Sequence, residues 1–427
     1  MHLSTRSAPT SRVERQSLSR WVSLGHCDSG KEGGAARVGS VSQARGKTQA
    51  ARSLQESAAL GIDEDIKPVP LAEPMTGNDL NNARATFEIV ETRRLGDVPH
   101  FPYLIGTFMG RDALSLAVSY LDLTKDDTVV LPVFTCQDVL KSFVRKCHVL
   151  FYDVGRDLTI DPDELRVTLQ GRRRIRLVLI TNYFGFLQPH RNEIKELCAE
   201  KNICLIEDCA HSLLTEGSGE AGDLSIYSFR KVLPIRDGGG LGVNGNGKPP
   251  VPRYHPRLYS DTLSFLAFAK SLLNIRTEKF SRARIASHTA QVLPLPTKDS
   301  RILPLSYFAR HGMGNISCTE VAKRRRDDFQ FWQETTRGNR SLIPMFGDLP
   351  PGVCPLGFAL RTKDRDSLEA RAREKGIPLR VHWRLDATLG SECSTSHELS
   401  REMLTLPVYP ELGPKEREVL AGIVTRR

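Results

Sequence analysis

Two patterns are missing from this 427-residue chain, and each absence argues against a class of protein. No stretch approaches the ~20 consecutive apolar residues that a membrane-spanning helix needs, so we do not expect membrane association. The nine cysteines are dispersed, with no CxxC pair and no histidine at the spacing of a zinc site. We therefore expect reduced thiols in a cytoplasmic protein rather than a disulfide framework.

Excess positive charge is scarce in most of the chain. The formal net charge is +10, but residues 1–55 carry +6 of it, from nine Lys and Arg against three acids. Only +4 belongs to the other 372 residues. The main part of the chain is therefore close to neutral, and nucleic acid is not an expected partner for it.

Residues 1–83 are predicted to be a disordered, basic N-terminal extension. The first 70 are rich in Ser, Gly, Ala, Arg and Gln and have little apolar periodicity, so they cannot bury enough surface to offset ordering. Three interpretations stay open: a transit peptide, a basic arm for nucleic acid, or an upstream artefact with Met75 as the true initiator. Mass spectrometry of the native N-terminus would distinguish them.

Apolar strands alternate with helices from about residue 84. The predicted strands are Thr128–Pro132, Val149–Asp153, Arg176–Ile180 and Ile203–Ile206. Continuous apolar strands separated by helices are typical of a parallel sheet covered on both faces. We predict a doubly wound α/β domain over 84–250, whose ligands bind where the strands end. Phe134 and Asp208 both fall at such ends.

The C-terminal part of the chain has a different pattern. Residues 251–330 are interpreted as a helical connecting and substrate-binding region, and 331–427 as a small α+β domain. Within the latter we predict strands at Pro355–Arg361 and Pro378–Trp383, and a final helix from Pro414.

An acid and a lysine in a fixed order give the clearest chemical signal. The strand that ends at Ile206 leads into Asp208, and Ser228-Phe229-Arg230-Lys231 follows, before a glycine run at Gly238. Pyridoxal phosphate (PLP) chemistry needs a lysine amine for a Schiff base and an acid that keeps the pyridinium nitrogen protonated. We predict these roles for Lys231 and Asp208. Lys248 is the alternative lysine, and helix capping is the ordinary alternative for Asp208.

The helix that begins at Gly110-Arg111-Asp112 is predicted to bind the cofactor phosphate. Free backbone N–H groups and the positive end of the helix dipole favour an anion there. Gly110 allows close approach, and the Ser228 hydroxyl is a candidate donor to the same group. The Asp112 carboxylate would repel a phosphate, so we expect it to cap the helix and point away.

The motifs, taken in order, resemble the DegT/DnrJ/EryC1/StrS family. They are Gly110–Leu114, Leu131–Thr135, Asn182–Gly185, Glu207–His211, Ser228–Lys231 with Asp237–Gly239, and, near the end, Val381–Trp383 with Leu406–Leu412. This family contains fold-type-I PLP enzymes, mostly aminotransferases that act on nucleotide-linked keto sugars. The resemblance covers roughly residues 84–427. It implies a large, mainly parallel sheet domain and a small α+β C-terminal domain.

The resemblance also bears on two further cofactor contacts, and His382 is a separate candidate. His211 stands where the family usually has a glutamine that contacts the cofactor's ring oxygen, and a structural role is the alternative. Cys136 replaces the aromatic residue that usually stacks on the ring, so Phe134 would take that role. His382 is a weaker candidate for substrate binding, since a histidine at the end of a strand is often structural.

The function implied is transfer of an amino group from an amino acid, glutamate by analogy, to a keto sugar, with nucleotide linkage expected. A homodimer is expected, again by resemblance. The alternatives are another PLP-dependent reaction on the same fold, or a non-catalytic regulatory protein that keeps the cofactor site. The family's dehydratase branch replaces the lysine with histidine, and Lys231 argues against that branch.

Overall fold

The computed structural model describes residues 103–144, 146–171, 174–244, 252–277 and 302–425, with only the backbone at 270–277. The predicted extension over 1–83 lies outside the described residues, and so does Lys248. All described residues belong to one structural unit, Met75–Arg427. The boundaries at 250 and 330 stay predictions.

Seven strands form the larger sheet. They are β1 Tyr103–Thr107, β2 Thr128–Pro132, β3 His148–Tyr152, β4 Ile175–Thr181, β5 Cys204–Asp208, β6 Leu224–Tyr227 and β7 Gly239–Val243. Their order is β1-β7-β6-β5-β4-β2-β3. Strands β2 to β6 pair in parallel, and β7 runs antiparallel to both β1 and β6. The predicted α/β class with a mainly parallel sheet is therefore confirmed.

Helices cover both faces of this sheet, as a doubly wound fold requires. Helices α1 (Gly110–Tyr120) and α2 (Gln137–Phe143) pack in one apolar cluster, and α3 (Pro162–Leu169) and α4 (Arg191–Glu200) in another. The central strands have almost no exposed side-chain surface because both faces are covered. Short helix α5 (Phe229–Val232), α6 (Arg257–Thr277) and α7 (Tyr307–Gly314) follow.

A second, antiparallel sheet lies in the C-terminal part of the chain. Its strands are β8 Ile343–Pro344, β9 Phe358–Arg361 and β10 Met403–Leu406, in the order β10-β9-β8. The helices here are α8 Cys318–Thr336, α9 Arg365–Glu374, α10 Ser394–Glu402 and α11 Pro414–Thr425. Trp332, Phe358, Leu404 and Leu420 share a separate buried cluster.

Among the described residues, no helix combines the length and the apolar content needed to cross a bilayer.

The predicted strand Pro378–Trp383 is wrong. Only Arg380 pairs with another strand, through an isolated bridge to Thr405. Successive strand residues point to opposite faces, yet the rings of both His382 and Trp383 pack against His211. The irregular backbone after Arg380 thus brings two neighbouring side chains into one site.

Candidate active site

The predicted site residues converge at one edge of the larger sheet, where parallel strands end. Asp208 is the last residue of β5 and pairs in register with Thr181 and Ile226 on the neighbouring strands. Ser228 follows β6 directly and is the N-cap of α5, the short helix that contains Lys231. The sheet topology therefore brings the acid and the lysine to neighbouring strand ends.

Lys231 occupies an enclosed position that still has partial solvent access. Burial lowers its pKa, and the nearby charges of Arg230 and Arg380 act in the same direction, whereas Cys136 and Asp208 oppose the shift. Within the described part of the chain, its amine makes no hydrogen bond or ion pair. A lysine with a lowered pKa and a free amine is suited to nucleophilic attack on an aldehyde.

Asp208 is 8% exposed and lies close enough to Lys231 for the two charges to interact. Burial raises its pKa, and the Lys231 charge together with a backbone hydrogen bond from Ala210 partly offsets this shift. The Ala210 N–H donates to Oδ1 at 3.0 Å. Among described residues Oδ2 has no hydrogen-bond donor, which leaves it for the N–H of a bound ring.

The start of α1 lies against the segment that contains Ser228. A Cβ on Gly110 would lie 3.1 Å from the Tyr227 carbonyl oxygen and 3.7 Å from Ser228 Oγ. The N–H groups of Gly110 and Arg111 donate to no acceptor among the described residues, as expected in the first turn of a helix. Ser228 is 4% exposed, and its hydroxyl likewise has no partner there. These three donors form a group suited to a phosphate.

Asp112 caps α1, as predicted. The Met109 N–H donates to its Oδ2 at 2.9 Å. Burial raises the pKa of Asp112 to about 7, against the opposing effects of Arg111 and of the Met109 hydrogen bond. Asp112 therefore holds the backbone of the turn that the sequence predicts to bind the phosphate.

His211 is buried beside Phe184, His382 and Trp383. The Phe184 N–H donates to Nδ1 at 3.4 Å, which puts the ring proton on Nε2. Burial lowers the pKa of His211 well below its usual value, with further contributions from Lys231, His382 and Arg380. A neutral histidine with a free Nε2–H is a hydrogen-bond donor, the property expected at this position.

His382 reaches the same site from the C-terminal part of the chain. Its Nδ1 lies 2.9 Å from Thr405 Oγ1, and its ring meets Phe184 edge-on at 5.2 Å. Burial lowers its pKa well below the usual value, and the charges of Arg380 and Lys231 add to the effect. Trp383, which the sequence analysis did not single out, stacks on His211 at 5.5 Å. Its position next to His382 in the family-like motif was the available signal.

Phe134 does not have the exposed ring that stacking on a cofactor requires. It is 0% exposed, and its ring packs against Tyr183 at 5.9 Å and Trp383 at 5.2 Å. The Tyr183 hydroxyl donates to the Phe134 carbonyl oxygen at 2.8 Å, which fixes the backbone there. Phe134 therefore lies in the core beside the site.

These groups fit the cofactor that the sequence predicts. Among the residues that the structure describes, the Lys231 amine, one Asp208 carboxylate oxygen and the donors of the α1 turn and Ser228 have no partner. An aldehyde, a pyridinium nitrogen and a phosphate are the three groups that PLP presents. Among the described residues, no cluster of His, Cys, Asp or Glu is arranged to hold a metal ion.

The family model for DegT/DnrJ/EryC1/StrS aminotransferases matches residues 91–245, which include the α1 turn, Asp208, Ser228 and Lys231. Over these residues the chain is similar to the DegT/DnrJ/EryC1/StrS aminotransferase family. The resemblance seen in the ordered motifs is therefore confirmed for this part of the chain.

Two relatives in this family illustrate the similarity. The dTDP-4-dehydro-2,3,6-trideoxy-D-glucose 4-aminotransferase of Saccharopolyspora spinosa is 33% identical over 168 residues, 36% of this chain and 41% of that protein. GDP-perosamine synthase of Vibrio cholerae is 29% identical over 139 residues, 30% of this chain and 37% of that protein. The matched segments span well under two thirds of either relative's length.

The fold is shared with solved structures of aminotransferases. The crystal structure of an aminotransferase from Streptoalloteichus hindustanus has a TM-score of 0.57, and the match covers 82% of this chain and 96% of that one. At 18% sequence identity this likeness concerns the fold alone. It confirms the fold-type-I architecture predicted from the sequence.

Proposed function

We propose that this protein is a PLP-dependent aminotransferase that moves an amino group from an amino acid donor to a keto sugar. The observation that carries the proposal is the enclosed pair Lys231 and Asp208, whose charges interact at neighbouring strand ends. The unpaired donors of Gly110, Arg111 and Ser228 support it, since they supply the phosphate site that the cofactor needs.

PLP, when bound, supplies an aldehyde that bonds to amines and a ring that withdraws electrons from the substrate carbon. Lys231 would hold the cofactor through its amine. Once free of it, the same amine would take a proton from the substrate carbon and return one later. Asp208 would keep the ring nitrogen protonated, and the Nε2–H of His211 would donate to the ring oxygen. The surrounding aromatic side chains would limit access of water.

The substrates follow from the relatives by analogy. The Saccharopolyspora spinosa relative is named for a dTDP-linked keto sugar and the Vibrio cholerae relative for a GDP-linked sugar. We extend this to a nucleotide-linked keto sugar as acceptor and glutamate as donor. The predicted homodimer and the cytoplasmic location are part of the same proposal.

The first test is the absorption spectrum of the purified protein with added PLP, before and after borohydride, followed by peptide mapping. We expect a band near the visible edge, and a reduced adduct on the peptide that contains Lys231. Lys231→Ala should fold normally but give no adduct and no turnover, whereas Lys195→Ala, on the exposed surface of α4, should behave as wild type.

Addition of glutamate to the loaded protein should then shift the band, and a panel of keto sugars with different nucleotides should restore it. An adduct on Lys231 with no response to any amino donor would favour another PLP-dependent reaction. No band and no adduct would contradict the proposal and favour the non-catalytic alternative.

A further inference from the structure

Arg230, the residue before Lys231, has an enclosed guanidinium that forms no ion pair with any acid that the structure describes. Its Nε donates to Met109 Sδ at 3.2 Å, and a thioether is a weak acceptor. Among the described residues, no carboxylate lies within ion-pair distance of Arg230, and no acceptor receives a hydrogen bond from its Nη atoms. A largely buried cation without a counter-ion is costly, so its presence needs an explanation.

Two neighbouring cations, unlike Arg230, each form an ion pair with an acid. Arg111 forms an ion pair with Asp138 at 3.5 Å, and Arg380 forms one with Glu411 at 2.9 Å. Both still act on Arg230: burial together with these two charges lowers the pKa of Arg230 to about 10. Asp138 and Cys136 act in the opposite direction, but Asp138 is already paired with Arg111. Arg230 therefore lies where positive charge accumulates, without an acid at ion-pair distance among the described residues.

The contact with Met109 places Arg230 at the start of α1. Met109 is the N-cap of that 11-residue helix, and the two N–H groups that follow it have no acceptor among the described residues. A second observation points to a ligand at the same place. The nine-tenths-buried Ser228 hydroxyl, also unpartnered there, lies 3.7 Å from the position that a Cβ on Gly110 would take.

We propose that Arg230 binds the phosphate group of the bound cofactor through its two Nη atoms and is the main cationic ligand of the phosphate site. The inference rests on the proposed function, since it assigns the anion to PLP. A guanidinium presents parallel N–H donors that match two oxygens of a phosphate. The anion would supply the counter-charge that Arg230 lacks, while the α1 turn and Ser228 bind the remaining oxygens.

The test compares two ligands that differ only in the phosphate. Apoprotein is titrated with PLP and with pyridoxal, and both dissociation constants are read from absorbance at fixed salt. Arg230→Gln should weaken PLP binding roughly 10- to 100-fold, and pyridoxal binding less than about threefold, because a charge-assisted hydrogen-bonded pair is lost only with PLP. Inorganic phosphate should compete with PLP for wild type and much less for the variant.

Two further variants control for folding and for charge. Arg230→Lys keeps the charge but loses the paired donors, so its PLP affinity should fall between those of wild type and Arg230→Gln. Arg166→Gln removes a cation that forms ion pairs with Asp163 and Glu200, and it should bind both ligands as wild type does. Circular dichroism of each variant checks the fold, and Arg230→Lys serves for the comparison if Arg230→Gln does not fold.

Equal weakening of PLP and pyridoxal, or no weakening of either, would overturn the assignment of Arg230. A nucleoside diphosphate titrated into the PLP-loaded protein tests the other source of phosphate: if Arg230→Gln weakens only that ligand, Arg230 serves the sugar nucleotide and the inference is wrong. These results leave the proposed function intact when borohydride still fixes PLP on Lys231. A wild-type protein that binds no PLP would overturn both.

Discussion

Arg325 donates through Nη1 to the carbonyl oxygen of Val232, the residue after Lys231, at 3.2 Å. The same fully buried guanidinium donates to the carbonyl oxygens of Pro355 at 2.8 Å and Leu356 at 2.6 Å. It therefore connects the lysine-bearing segment to the C-terminal part of the chain. Its donors are paired with backbone oxygens rather than with a carboxylate, and burial lowers its pKa.

Arg325→Met should destabilise the protein by about 3 kcal/mol, because several buried carbonyl oxygens lose their donors together. Denaturant unfolding followed by circular dichroism measures the change. Arg324→Met is the matched control: Arg324 is exposed and paired with Glu320, so its loss should cost much less than the loss of Arg325. Similar values for the two variants would show that the Arg325 contacts contribute little.

Gly239→Ala should disrupt the start of α1. A Cβ on Gly239 would lie 2.3 Å from the Met109 carbonyl carbon and 2.4 Å from the Gly110 nitrogen, so the backbone must move. We expect a loss of about 2–4 kcal/mol in stability and weaker PLP binding than wild type. In Gly314→Ala the added Cβ meets nothing within 4 Å, and this variant should be neutral in both measurements. If Gly239→Ala bound PLP with wild-type affinity, the contact between Gly239 and the start of α1 would not be needed for the phosphate site.

The histidine pair should make stability depend on pH. The pKa values of His211 and His382 are held well below 6.5 by burial, so below that pH the unfolded chain binds more protons than the folded protein does. Stability should therefore fall by about 1.4 kcal/mol per pH unit for each histidine as the pH drops below ~6.5. In His211→Gln the slope between pH 6.5 and 5 should decrease by one proton's contribution. An unchanged slope would mean that His211 is protonated in the folded state.

Asp112 should have the opposite effect. Its pKa in the folded protein is about 7, above the value of an unfolded aspartate, so the folded state holds the proton longer and stability falls as the pH rises from ~4 to 7. Asp112→Asn stays neutral and still accepts from the Met109 N–H, and it should exceed wild type by up to about 4 kcal/mol above pH 7. Thermal unfolding at pH 5 and pH 8 gives the comparison. A variant less stable than wild type at pH 8 would show that the ionised carboxylate is favourable there.

Local sequence was sufficient for much of the fold and for part of the site. The apolar runs of β2, β4 and β5 predicted buried parallel strands, because a strand that is covered on both faces is apolar at nearly every position. The glycine-rich β7 was missed, since glycine has low strand propensity. Hydrogen-bonded pairing with β1 and β6 stabilises the strand instead. The strand predicted at Pro378–Trp383 is wrong because side-chain packing at the site, and not strand pairing, determines the backbone there.

The sequence by itself determined the order of the chemical groups: a helix start at Gly110, an acid at the end of a strand, then a serine and a lysine. These are local signals, since each depends on residue type and on a few neighbours. Only the tertiary structure decided that Phe134 is enclosed in the core, that His382 and Trp383 join the site, and that Arg230 forms no ion pair with any acid in the described part of the chain. Burial and charge pairing depend on residues far apart in the chain, and only their packing together sets these properties.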